Sequence, residues 1–315
     1  MADQNAMISV IVPAYYEGNL VHVAFERISA ALEPRFKNYE CIFVDDGSED
    51  DTFEELQKLA ANNDKVRVIK LAANVGSHLA IRCGLEHASG DIITFVACDM
   101  QEPPELIVKM FDELVAPYEI VLAVRESRDD SWQSVMMSNL FYFIARKIAK
   151  IKLPPSGTSM FLISRRALET MIRYKERNMP LDSLLMTVGY QSKFVSYHRE
   201  KRIAGTSKWT LTKKLKLFVD YFISASYFPI RFISASGFIF ALLGFLWTIY
   251  IVLRALLVGD LSPGWPTIIS VLLIGFGLTN ISLGIIAEYL WRTLDETRGR
   301  PKFVIEQTIN MKDKY

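Results

Sequence analysis

"DIITFVACDMQEPPE", residues 91–105, begins as an apolar, β-rich run and ends in two prolines, Pro103 and Pro104. A carboxylate, Asp99, stands where the apolar run stops. Four further runs of the same kind lie on either side: "ISVIVPAY" (8–15), "YECIFVDD" (39–46), "VRVIKLA" (66–72) and "EIVLAVR" (119–125). Helical patterns separate them, over Asn19–Leu32, Thr52–Asn62, Ser77–Ala88 and Pro104–Leu114. Strand and helix alternating in this way predict an α/β fold, a mostly parallel sheet with helices on both faces. Ligands of such sheets bind beyond the carboxyl ends of the strands. The polar residues that end each run, Tyr15/Glu17, Asp45/Asp46, Asn74 and Asp99/Gln101, are therefore expected on one rim. Asp99 has two readings there, a metal ligand or a turn residue ahead of Pro103. Asp99 and Gln101 are two apart, so on an extended backbone they would offer oxygen to the same side.

The chain has 315 residues and a formal net charge of +1. That is room for one catalytic domain plus a smaller part. Near-neutrality argues against nucleic acid as a partner, which needs a concentrated basic face. Cys41, Cys83 and Cys98 lack CxxC spacing and read as reduced thiols. There is no GxGxxG after the first strand and no GxxxxGK[ST], so neither a dinucleotide fold nor a P-loop is supported. His22, His78, His87 and His198 form no evident triad. The amino terminus lacks the basic and long apolar regions of a signal peptide.

Two stretches lack charge: Phe232–Leu253, 22 residues, and Thr267–Ala287, 21 residues. As helices each would reach roughly 30–33 Å, about one hydrocarbon core. They are expected to span a membrane. Lys208, Lys213, Lys214, Lys216 and Arg231 precede the first, and Arg292, Arg298, Arg300 and Lys302 follow the second, while the loop between carries only Arg254. The positive-inside rule then puts the catalytic domain and both termini in the cytoplasm, in a multi-pass protein of the inner or plasma membrane. Leu211, Leu215, Phe218 and Phe222 share one helix face flanked by lysines, which predicts an interfacial helix attracted to membrane lipids. The expected domains are 1–207 catalytic, 208–230 interfacial, 231–290 two spans (about 232–253 and 267–288) and a 291–315 tail. Small residues such as Gly237, Gly275 and Gly284 permit close helix packing, so a homo-oligomer is expected.

Seven pieces in order, "SVIVPAYYEGN", "FVDDGSEDDT", "NVGSHLAIRCGLEHASGD", "CDMQEPPELI", "SRRAL", "RIAGTSKW" and "EYLWRTLDETRGRPKFVIE", resemble glycosyltransferase family 2 in its polyisoprenyl-phosphate branch. The branch includes dolichol-phosphate mannose synthases and bactoprenol glucosyltransferases. The resemblance implies a GT-A fold and metal-dependent, inverting transfer of a sugar from a nucleotide sugar, with a UDP-sugar the implied donor, to undecaprenyl or dolichyl phosphate. The lipid-linked product would serve cell-envelope glycan synthesis. It also implies a Mg2+ or Mn2+ cofactor held by Asp99 and Gln101, and a nucleotide pocket lined by Pro13, Tyr15, Glu17, Asp46 and Asp45. Arg125, Arg202 and Lys208 match positions near the phosphates, and Asp99, Arg202 and Lys208 are the implied catalytic set.

The chain departs from the family pattern in places. The metal motif has Ala97 where an aspartate is usual, followed by Cys98; Tyr16 replaces an asparagine; "SGTSMF" lacks the Asp and Arg of "GDFR"; and Asn139 replaces an arginine. Mg2+ is often held by one or two carboxylates plus substrate phosphate, so the loss at position 97 should weaken the site without abolishing it. The absence of QxxRW argues against a polysaccharide synthase of the same family. A nucleotide-sugar-binding scaffold without catalysis is the alternative that Ala97 raises.

Overall fold

The computed structural model describes residues 6–125, 158–174, 181–198 and 264–311, together with a few helical positions between 235 and 257. Eight strands form one sheet: β1 (Ile8–Ala14), β2 (Tyr39–Asp45), β3 (Val66–Leu71), β4 (Ile92–Phe95), β5 (Tyr118–Arg125), β6 (Met160–Ser164), β7 (Gln191–Tyr197) and β8 (Ile305–Ile309). Their order is β7-β5-β6-β4-β1-β2-β3-β8. β6 runs antiparallel to β4 and β5, and β8 antiparallel to β3; every other neighbouring pair is parallel.

Both faces of the sheet are covered, which is why its central strands are apolar runs rather than alternating ones. Val10, Val12 and Phe43 pack with α1 (Val21–Leu32), α2 (Thr52–Ala61) and α4 (Glu105–Glu113). Ile11, Ile42 and Ile69 point the other way, to α3 (Ser77–His87), α5 (Arg165–Ile172) and α6 (Leu181–Thr187). α3 lies so close that a Cβ on Gly84 would sit 2.5 Å from Ile11 Cγ2. Cys41, Cys83 and Cys98 are buried in this core.

The chain divides into two compact units, one of Met1–Asp220 with Pro301–Tyr315 and one of Tyr221–Arg300. In the first, β8 covers the edge of β3, and Asn310 just beyond it donates through Nδ2 to the carbonyls of Ala60 and Val66. An edge strand is thereby paired instead of left open. In the second, α7 runs from Trp265 to Thr297 and contains the second uncharged stretch.

The expected multi-pass membrane placement, with its cytoplasmic catalytic domain and termini, is corrected here. Among the described residues no helix is long and apolar enough to cross a membrane. Within α7, Thr279, Asn280 and Ser282 donate through their side chains to the carbonyls of Gly275, Phe276 and Leu278 one turn back. Most of the first stretch, and the amphipathic segment before it, lie outside the described residues.

Candidate active site

Six parallel strands end on the same rim, and the loops there are hydrogen-bonded to one another. β1 ends at Ala14, whose carbonyl accepts the N–H of Asp46 at 2.9 Å. Pro13, with no N–H to give, falls beyond the last β1–β4 pair, Ile11–Phe95. The Tyr16 N–H donates to Ser48 Oγ at 3.1 Å, and the Ser48 N–H donates to Asp45 Oδ1 at 3.1 Å. The Glu17 N–H donates to Thr52 Oγ1, which in turn donates to Asp50 Oδ1 at 2.6 Å. The loop after β1 is thus fastened to the "DDGSEDDT" loop by side chains that resemble helix caps in sequence. Ser48 bridges to Tyr16, and it is Asp50 that accepts the N–H of Thr52, the first residue of α2.

The two adjacent aspartates do different things. Asp46 accepts from the N–H groups of Val75 and Gly76 at 2.8 and 2.9 Å, one on each carboxylate oxygen. It holds the 72–76 loop against the end of β2. Gly47 (φ 70°) makes that approach possible, because a Cβ there would come within 2.7 Å of the Ala73 backbone. Asp45 is fully buried, and its Oδ2 has no hydrogen-bond partner. Burial pushes its carboxyl above the ordinary range, an effect that the Ser48 bonds and the Lys70 charge only partly offset. Tyr15 is half-buried, its ring set edge-to-face on that of Tyr16 with centroids 4.4 Å apart.

Beyond β4 the backbone differs from expectation. The strand stops at Phe95, and the Met100 N–H closes a turn onto the Ala97 carbonyl at 3.1 Å. Met100 is left-handed (φ 52°) and fully buried, so core packing holds the turn. Asp99 Oδ1 accepts the Gln101 N–H at 3.3 Å, an Asx turn. The two residues are brought together by a turn, not by the alternation of an extended strand. Cys98 is buried.

Asp99 and Gln101 supply one carboxylate and one amide oxygen. Among the described residues no cluster of three or more His, Cys, Asp or Glu could hold a metal by itself. The donor set suits a hard cation that takes most of its ligands from phosphate and water, as Mg2+ does. It does not suit a cation needing an all-protein cage.

Arg125 closes the other side of the rim. Its Nε donates to Ser159 Oγ at 2.7 Å, and across the β5–β7 pairing it stands opposite Tyr197. The Tyr197 hydroxyl donates to Glu102 Oε1 at 3.1 Å, and burial, then the Glu102 charge, raises its pKa. Glu102, Ser159 and Tyr197 were not singled out in the sequence reading. Glu102 adjoins Gln101, a signal that was present; Ser159 and Tyr197 reach Arg125 only through strand pairing. Arg202 and Lys208 lie outside the described residues.

Residues 9–172 match the family model "Glycosyl transferase family 2". The chain is 31% identical to the uncharacterized glycosyltransferase YkcC of Bacillus subtilis, covering 97% of this chain and 95% of that one. It is 30% identical to the prophage bactoprenol glucosyl transferase homolog of Escherichia coli K12, over 95% of this chain and 98% of the other. A mannosyltransferase of Pyrobaculum calidifontis, solved with GDP-Man and Mn2+, superposes with a TM-score of 0.46 at 20% identity, covering 62% of this chain and 57% of its own.

Proposed function

The chain belongs to glycosyl transferase family 2, and we propose that it moves a sugar, with inversion, from a nucleotide sugar to a polyisoprenyl phosphate. The observation that carries this reading is the single rim on which Asp45 and Arg125 end their strands and Tyr15, Glu17, Asp46, Asp99 and Gln101 lie in the loops just beyond. Similarity to bactoprenol glucosyl transferases over nearly the whole chain supports the choice of acceptor.

An acceptor phosphate monoester has its second pKa near roughly 6, so at neutral pH it is largely a dianion and needs no strong base. One of its oxygens attacks the anomeric carbon opposite the leaving group. The new C–O–P bond forms as the bond from that carbon to the nucleoside diphosphate breaks, and the diphosphate leaves with the electron pair. No proton moves in this step. Tyr15 and the Asp45–Ser48–Tyr16 linkage hold the nucleotide end, while Arg125, kept in place by Ser159, faces phosphate charge. Arg202 and Lys208 would add cations on the acceptor side. Asp99 and Gln101 would hold Mg2+ or Mn2+, which when bound neutralises charge on the leaving diphosphate.

The test is a turnover screen of the full-length protein. UDP- and GDP-sugars are offered with undecaprenyl or dolichyl phosphate in detergent, each with Mg2+, Mn2+ or chelator. A glycolipid and free nucleoside diphosphate should form together, and only with cation present. No transfer across the whole panel would overturn the assignment in favour of a non-catalytic nucleotide-sugar binder.

A further inference from the structure

Three described residues other than glycine have a positive φ: Tyr16 (53°), Met100 (52°) and Asn310 (56°). Asn310 is an ordinary occupant of the left-handed region, since its short amide tolerates it. Met100 is a costly one, but its side chain is completely buried and the core holds it there. Tyr16 has neither excuse. It is bulky, 40% exposed, and stands where the family pattern carries asparagine, the residue that would relieve the strain. Backbone strain that burial does not compensate is concentrated at ligand sites.

The surroundings say what kind of ligand. The Tyr15 and Tyr16 rings meet at 75°, forming an aromatic corner at the end of β1. Ser48 holds the Tyr16 backbone in place from the neighbouring loop. Partial burial first, then the hydrogen bond with Tyr15 and the charges of Glu49 and Asp50, raise the Tyr16 pKa, so the phenol stays neutral. Those same acids would repel a diphosphate from this corner. An uncharged planar group is what fits.

We infer that Tyr16 is a donor-binding residue whose ring stacks on the nucleobase, and that its left-handed backbone is the cost of presenting it. This rests on the nucleotide-sugar reading above. Base–aromatic stacking is sequence-tolerant, so Tyr16 contributes affinity for the nucleotide more than a choice of base.

The experiment compares wild type, Tyr16→Asn and Tyr16→Phe as full-length proteins. Thermal unfolding is followed without nucleotide, and calorimetric titration uses UDP and GDP with Mg2+. Tyr16→Asn should unfold about 2–4 °C higher and bind nucleotide about tenfold more weakly. Tyr16→Phe, which keeps the ring, should bind as wild type does. An asparagine variant that binds as tightly as wild type overturns the inference, as does one with no gain in Tm. A phenylalanine variant as weak as the asparagine one also overturns it, because the hydroxyl and not the ring would then matter. A wild type that binds neither nucleotide overturns the donor reading itself, a result separable from all of these.

Discussion

One strand, β2, carries a buried carboxylate near each end, and the two live in opposite states. At the amino end Glu40, 2% exposed, accepts from Ser9 Oγ, from the N–H and Oγ of Ser89, and pairs with Arg67. Ser9 Oγ in turn accepts the Gly90 N–H, and Arg67 also donates to Ser89. Five residues on, Asp45 is equally buried but keeps an oxygen with no partner. Around it stand the left-handed Tyr16 and the loop that Asp46 holds. The amino end of the sheet is closed and serves stability. The carboxyl end retains strain and unmet bonding capacity, which is what a ligand can use.

The division can be broken most directly at Glu40. Glu40→Ala leaves Arg67, whose side chain is only 14% exposed, without its buried partner, and should cost about 3–5 kcal/mol in urea unfolding. Turnover per folded molecule should be unchanged; a loss of activity larger than the loss of folded protein would show that the two ends are not separate. Asp99→Ala is the converse. It should lower turnover about 10²–10³-fold with little change in Tm, and metal titration of the residual activity should reach half-maximum only at higher cation concentration.

Asp46→Asn lies between these extremes. It places an amide N–H against the N–H of Val75 or Gly76, so about 1–2 kcal/mol of stability should go. The loosened 72–76 loop should raise the KM for donor several-fold more than it lowers kcat. Equal effects on both would assign the loop to chemistry and not to binding.

The smallest effect concerns Asp45 and pH. Its folded pKa is raised, so the folded state binds its proton more tightly than the unfolded chain does. Its contribution to stability is therefore most favourable below the unfolded carboxylate pKa, and is lost as pH rises through the folded one. Asp45→Asn should consequently gain on wild type as pH climbs out of the ordinary carboxylate range. Unfolding titrations at acid and neutral pH read the difference, and a gap that shrinks with rising pH would contradict the assigned state of Asp45.

Much of the catalytic fold was legible because it is written in local periods. Helices expected at Thr52–Asn62 and Ser77–Ala88 form at Thr52–Ala61 and Ser77–His87, and the parallel strands β1 to β3 start where the apolar runs do. The rim residues were legible too, because each ends or closely follows an apolar run at the carboxyl end of a strand. β6 and β8 were not. Each reverses direction within the sheet, and its neighbours come from segments far away along the chain. The membrane expectation was overturned as well: among the described residues no helix is long and apolar enough to cross a membrane.

What the sequence by itself determined, then, is the alternation of elements, the two-sided core and the kind of chemistry gathered at one edge. Only the tertiary structure decided which lone pairs that chemistry keeps. Asp46 is engaged with the 72–76 loop, Asp99 sits in a left-handed turn, and Arg125 stands opposite Tyr197. The physical reason is that periodicity is set by neighbours a few residues apart, whereas a hydrogen bond is claimed by whichever distant segment the sheet brings within reach.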